Sequence, residues 1–138
     1  MAHVDQTLES AVKRVRYHLK DEAAELLKGR FRIVKLQSPL VLCDYFNVDK
    51  DKDLRASDLV FPHYVGEQWY SHYNPQHKWF YVSDQQPQEC WLFKCHDSEG
   101  DPKKAAFAIH NSVDTPVPDR LPAPRPRETI EFRCLDFY

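Results

Sequence analysis

The chain has 138 residues, a net charge of −2, three glycines, ten prolines and four cysteines. That length fits one domain, residues 1–138, with room for a core, and the charge balance gives nucleic acid no bulk electrostatic hold. No stretch is long and apolar enough for a membrane span or a secretory signal. Cys43, Cys90, Cys95 and Cys134 lack zinc-type C-x-x-C spacing, so reduced thiols in a cytoplasmic protein are expected.

His3-Val4-Asp5 opens the chain. In an extended segment its His and Asp share a side, because strand side chains alternate. Thr7 can cap a helix whose stripe is Leu8, Val12, Val15 and Leu19. Lys13, Arg14 and Arg16 fall off that stripe, on a solvated face. Asp21 reads as the cap of a second short helical piece, which Lys28-Gly29 ends through a left-handed glycine.

From residue 31 onward the pattern turns to strands. Phe31 to Leu36 alternates, and Leu40 to Cys43 is a short apolar run. Asp44 to Asp58 is charged and reads as a surface loop, and Pro62 to Glu67 as a turn. Gln68 to Tyr73 and Lys78 to Val82 flank Asn74-Pro75-Gln76-His77, which predicts an aromatic hairpin. Cys90 to Cys95 and Ala105 to His110 are further strands, separated by a polar loop. Thr115 to Pro126 holds five of the ten prolines and is expected to be a polyproline-like connector. Thr129 to Phe137 closes the chain as a strand with Ile130, Phe132 and Cys134 on one side and Glu131, Arg133 and Leu135 on the other. Helices first, then many short strands, predict a mainly β fold: a sandwich or jelly roll of antiparallel strands.

One constellation carries chemistry. Two imidazoles and one carboxylate, His3, Asp5 and the distant His110, could occupy one face of a non-haem Fe(II) ion and leave three positions open. A later Arg-x-Thr, Arg127 and Thr129, could clamp a co-substrate carboxylate. Against this stand plainer readings: a polar N-terminus, a histidine at a strand end, and arginines paired with Glu128 or Glu131 on a strand face. Tyr70, Tyr73, Trp79, Phe80 and Tyr81 could line an apolar pocket or simply fill a core.

Several motifs in order resemble the hydroxylase/desaturase family of fungal and bacterial natural-product oxygenases. They are His3-Val4-Asp5-Gln6-Thr7, Leu26-Leu27-Lys28-Gly29-Arg30, Pro39-Leu40-Val41-Leu42-Cys43-Asp44 and His77-Lys78-Trp79-Phe80-Tyr81. Glu89 leading to Phe93-Lys94-Cys95-His96-Asp97-Ser98 follows, and then Arg127 to Arg133. The resemblance implies a double-stranded β-helix, Fe(II) held by His3, Asp5 and His110, and 2-oxoglutarate held by Arg127 and Thr129. It implies a small natural-product intermediate as substrate, with hydroxylation or desaturation as the outcome. Two departures accompany it. Only Met1-Ala2 precede the His-x-Asp, where the family carries a large segment, and Val34 to Pro39 replaces the family's Asn-x-Trp-Arg-Pro. The expectation is therefore an N-terminally shortened relative, with residues 1–30 a strand remnant and helices and residues 31–138 the β core. An uncovered strand edge further suggests a homodimer. Two alternatives stay open. One is a metal-independent cyclase, isomerase or hydro-lyase using His110, His77, Asp97 or a tyrosine such as Tyr81 as acid or base. The other is a non-catalytic partner subunit.

Overall fold

The computed structural model describes residues 1–37, 40–83, 85–113 and 129–138. The expected proline connector and Arg127 lie outside the described residues.

Thr7 caps the first helix, α1 (Leu8–Leu19), by accepting from the Ser10 N–H. The buried face of α1 is Ser10, Ala11 and Val15, while Leu8 is largely exposed. The stripe is rotated because Ser10 accepts the Glu67 N–H at 2.9 Å and Thr7 donates to the Glu67 carbonyl at 3.0 Å. These bonds seat the helix start on the strand that carries Glu67. Arg14 is drawn off the solvated face to half burial. After Lys20, whose φ is positive, a 3₁₀ turn (Lys20–Glu22) leads to α2 (Ala23–Leu26). The break thus falls at Lys20, with no side-chain cap from Asp21. Gly29 is required by proximity and not by a left-handed backbone: a Cβ there would lie 2.5 Å from the Tyr138 carbonyl oxygen.

Two antiparallel sheets form in the described residues. The larger has the order β4 (Leu54–Phe61), β5 (Tyr64–Ser71), β1 (His3–Val4), β8 (His110–Asn111), β3 (Val41–Cys43), β6 (Trp79–Tyr81). The smaller has the order β7 (Trp91–Asp97), β2 (Phe31–Gln37), β9 (Glu131–Phe137). The expected mainly β jelly-roll architecture with N-terminal helical structure is what forms. Phe31, Ile33, Phe93 and Cys95 of the smaller sheet bury against Ala11, Val15 and Ala23. Truncating a side chain as enclosed as Ile33 to Ala would cost roughly 2–5 kcal/mol. A second cluster joins Val4, Cys43, Leu54 and Ile109. No helix among the described residues is long and apolar enough to cross a membrane.

Three sequence expectations fail here. The charged stretch 44–58 is no plain loop: Asp49 caps a short helix, α3 (Lys50–Asp53), and β4 begins at Leu54. The aromatic segments around Asn74-Pro75 do not pair with each other. β5 pairs with β4 through a tight turn at Pro62-His63, whereas β6 pairs with β3 at the far edge of the sheet. The 74–77 turn is instead anchored from outside. The Asp53 carboxylate receives the Asn74 amide at 3.0 Å and the His77 ring at 2.9 Å. Burial by itself would raise the Asp53 carboxyl, but those bonds hold it below its ordinary range. Finally, of the expected strand Ala105 to His110 only His110 is strand, as the first residue of β8.

Candidate metal centre

β1 has two residues, and both its edges are taken. His3 pairs with Tyr70 on one side and with His110 on the other. Val4 is fully buried in the second core cluster, so alternation turns His3 and Asp5 the other way, toward the smaller sheet. His110 sits across from His3, with ring centroids 4.5 Å apart. The candidate ligand atoms of His3, Asp5 and His110 all lie within 4.8 Å of one another. The distant residues 3 and 110 are neighbours because a short strand inserts between β5 and β8.

Hydrogen bonds select the tautomers. His3 Nδ1 is 2.9 Å from the Met1 carbonyl oxygen, and His110 Nδ1 is 3.1 Å from that of Ala108. A carbonyl only accepts, so each Nδ1 carries a proton, and in the neutral ring this leaves Nε2 to present the lone pair. His3 Nε2 lies 3.6 Å from Asp5 Oδ1, and His110 Nε2 lies 3.8 Å from Asp5 Oδ2. Three donor atoms facing one another repel unless a cation stands among them, a place that a metal ion or a lysine ammonium can take. Fixing the ring through its second nitrogen is also what orients a metal-bound histidine. The donor set fits a first-row divalent metal on chemistry as well as on spacing.

Residues that the sequence reading passed over complete the environment. Lys35 of β2, only 3% exposed, places Nζ 3.1 Å from Asp5 Oδ2, 3.2 Å from His110 Nε2 and 3.2 Å from Glu131 Oε2. Arg133 of β9 reaches Asp5 Oδ2 at 3.1 Å and Glu131 at 2.8 Å. The Cys95 thiol donates to Asp5 Oδ2 at 3.3 Å. Burial and the nearby Asp5 charge push that thiol well up, so it stays a donor. Burial would raise the Asp5 carboxyl too, but His3, Arg133, His110 and Lys35 hold it far below the usual carboxylate range. Burial pushes His110 down to about 4, helped by Lys35 and His3 and opposed by Asp5. The imidazole is therefore neutral, as a metal ligand must be.

A phase signal in the sequence could have found Lys35. In β2 the buried positions are Phe31, Ile33, Lys35 and Gln37, so Lys35 sits in register with apolar residues. β9 runs in the opposite phase to the apolar expectation: Ile130 and Phe132 are exposed, while Arg133, Leu135 and Phe137 turn inward.

The other sequence candidates lie elsewhere. Asp97 accepts a bidentate pair from Arg30, at 3.0 and 2.8 Å, and another bond from Lys94 at 2.8 Å. It also lines a cavity of about 550 Å³ with Gln6, Leu54, Trp69, Cys95 and Phe107. Tyr81 is exposed on the edge strand β6. Thr129 lies just before β9, on the surface.

A family profile described as "Oxidoreductase/YMDC permease-like domain" matches residues 1–137. The hydroxylase/desaturase efuI of Hormonema carpetanum is 32% identical over 99% of this chain and 50% of its own length. The hydroxylase/desaturase asaB of Aspergillus flavus is 33% identical over 85% of this chain and 60% of its own. The chain belongs to the hydroxylase/desaturase family. Among solved structures, the iron and alpha-ketoglutarate-dependent endoperoxidase NvfI superposes on 99% of this chain and 53% of its own, with a TM-score of 0.85 and 27% identity. The present family member spans about half the length of the relatives it matches.

Proposed function

We propose that this polypeptide forms the metal-binding half of a non-haem Fe(II)/2-oxoglutarate-dependent oxygenase that hydroxylates or desaturates a small natural-product intermediate. The observation that carries the reading is the cluster itself: two Nε2 lone pairs and one carboxylate within 4.8 Å, each imidazole fixed by a backbone carbonyl. The names of the relatives, hydroxylase/desaturase and iron and alpha-ketoglutarate-dependent endoperoxidase, support the same class.

In this reading His3, Asp5 and His110 hold the iron, and Arg127 and Thr129 hold the distal carboxylate of 2-oxoglutarate. Bound there, Fe(II) would supply oxygen activation coupled to oxidative decarboxylation of 2-oxoglutarate. The chain's own residues prepare the ligands. Ala108 and Met1 carbonyls fix the ring tautomers, Cys95 and Arg133 orient the Asp5 carboxylate, and Phe93, 4.8 Å from the His110 ring, walls off one side. The cavity bounded by Trp69, Leu54 and Phe107, with Asp97 at its wall, is read as part of the substrate space. Four unpaired cysteines support a cytoplasmic setting. Leu92, Leu36 and Phe132 lie in register across the outer face of the smaller sheet, with Leu92 and Phe132 well exposed, which supports a homodimer contact.

The test is anaerobic addition of Fe(II) and then 2-oxoglutarate to the full chain. A visible metal-to-ligand charge-transfer band is expected, lost in His110→Ala, together with succinate formation on admitting oxygen. Absence of the band would sink the proposal. The mass in solution tests the dimer separately.

A further inference from the structure

The metal centre already contains a cation. Lys35 Nζ bonds both Asp5 Oδ2 and His110 Nε2, atoms of two of the three candidate ligand residues, and uses its remaining reach on Glu131. Arg133 holds the same Asp5 oxygen. A third cation, Arg14, is half-buried close by, and the charges of Arg133 and Asp5 both act on it. The described carboxylates facing these three cations are Asp5 and Glu131, so among the described residues positive charge is in surplus before any metal enters. Among the described residues, the buried Nε–H groups of Arg14 and Arg133 both lack a partner. Buried charged donors left unpaired are costly, and here they point to an anion.

A divalent ion entering this cluster must take the His110 lone pair and the Asp5 oxygen from Lys35. It also raises the local charge by two. Both penalties fall if an anion of charge two arrives with it. We propose that Lys35 and Arg133 make divalent-metal binding at His3, Asp5 and His110 conditional on a dianionic, carboxylate-bearing ligand. Lys35 is the competitor for the ligand atoms, and Glu131 is the partner it retains when displaced. This rests on the proposed metal site and adds to it a rule of loading: metal and dianion enter as a pair, and metal alone is disfavoured.

The experiment is titration of the full chain with Co(II), a redox-stable probe, followed by its visible absorption. Three conditions are compared: Co(II) alone, Co(II) with 2-oxoglutarate (dianion), and Co(II) with 2-oxobutyrate (the monoanionic 2-oxo acid). Wild type should bind Co(II) at least ten-fold tighter with the dianion than alone, and the monoanion should recover only a minor part of that gain. Lys35→Met should bind Co(II) alone ten-fold or more tighter than wild type and depend less on the dianion. Glu131→Gln, which leaves Lys35 only Asp5 and His110, should bind Co(II) alone more weakly. If Lys35→Met lacks a cooperative melt, Lys35→Gln replaces it with the same expectation. Equal Co(II) affinity in wild type and the Lys35 variant overturns this inference and leaves the metal site standing, as does equal help from dianion and monoanion. No Co(II) binding by either protein under any condition overturns the metal site and this inference together.

Discussion

Asp5 should be as important to folding as to any metal, and Asp5→Ala in metal-free protein measures this. The carboxylate is the shared anion of Lys35 and Arg133, at 3.1 Å each, and accepts the Cys95 thiol as well. Removing it leaves both cations on Glu131 alone. Breaking a buried ion pair by deleting one partner costs about 3–5 kcal/mol, because the survivor keeps its desolvation penalty. Lys35 is 3% exposed and incurs that penalty, but Arg133 and Glu131 are 26% and 37% exposed and water screens part of it. A loss of about 2–4 kcal/mol is therefore expected. The double variant Asp5→Ala/Lys35→Met removes the stranded ammonium and should recover roughly 1–3 kcal/mol of it. Urea denaturation with chelator present, followed by far-UV circular dichroism, reads both. With a slope of about 1–3 kcal/mol per molar urea, the single variant should move the midpoint down by about 1 M or more. An Asp5→Ala protein within about 0.5 kcal/mol of wild type, the range of an ordinary surface change, would refute the reasoning. So would a double variant no more stable than the single one.

Other expectations follow from neighbouring contacts. His77→Ala removes one of the donors to the buried Asp53 carboxylate and loosens the 74–77 turn, and should cost about 1–3 kcal/mol by urea denaturation; an unchanged midpoint would show that the turn does not need this anchor. Asp97→Asn removes the shared acceptor of Arg30 and Lys94, so it should lower the melting temperature while leaving Co(II) affinity unaltered. A selective loss of turnover in a fully stable Asp97→Asn protein would restore a chemical role for that carboxylate. His110 is held from its ordinary 6.5 down to about 4 by burial first and by Lys35 and His3 next. Between those values the unfolded chain binds the extra proton, so stability should fall as pH drops through that window and His110 should add no further loss below it. The full effect is roughly 3 kcal/mol. His110→Gln should flatten the profile measured by urea denaturation in metal-free protein, and a profile as steep as wild type would exclude His110 as its source.

Local patterns carried much of this fold. Thr7 and the apolar rhythm after it marked α1, and the alternation of Phe31 to Leu36 marked β2. Pairing was harder to read, since the most hairpin-like segment, around Asn74-Pro75, serves two strands far apart in one sheet. β5 has two other partners, and the turn between the aromatic segments is held by Asp53 from another element. Of the site, the residues with distinctive spacing were legible: His3, Asp5 and His110 converge. Strand phase marks Lys35 as inward-facing, but that Lys35, Arg133 and Cys95 all face Asp5 from the opposite sheet is encoded by no local spacing. The phase of β9 was misread because Ile130 and Phe132 look like core residues, yet Arg133 is required inside as the counterion of a buried carboxylate.

The placement of His3 follows from strand pairing. Ala2 accepts from the Ser71 N–H at 3.0 Å, the Met1 amino group reaches Asn111 Oδ1 at 3.3 Å, and Thr7 holds Glu67 at the start of α1. Residues 1–7 are thus tied at both ends around a buried Val4. The partner strand β8 is equally short, and a slip of one residue would turn His110 away from the cluster. Its register is fixed beside it: Ile109 is buried, its carbonyl accepts the Cys43 N–H at 2.9 Å, and Ala108 donates to the Lys94 carbonyl at 2.8 Å. The Lys94 bond ties the smaller sheet to the segment that presents His110, and β2 of that same sheet presents Lys35. The two sheets therefore set the distance between the His110 lone pair and its competing ammonium. A change in sheet separation would alter metal affinity without touching a ligand.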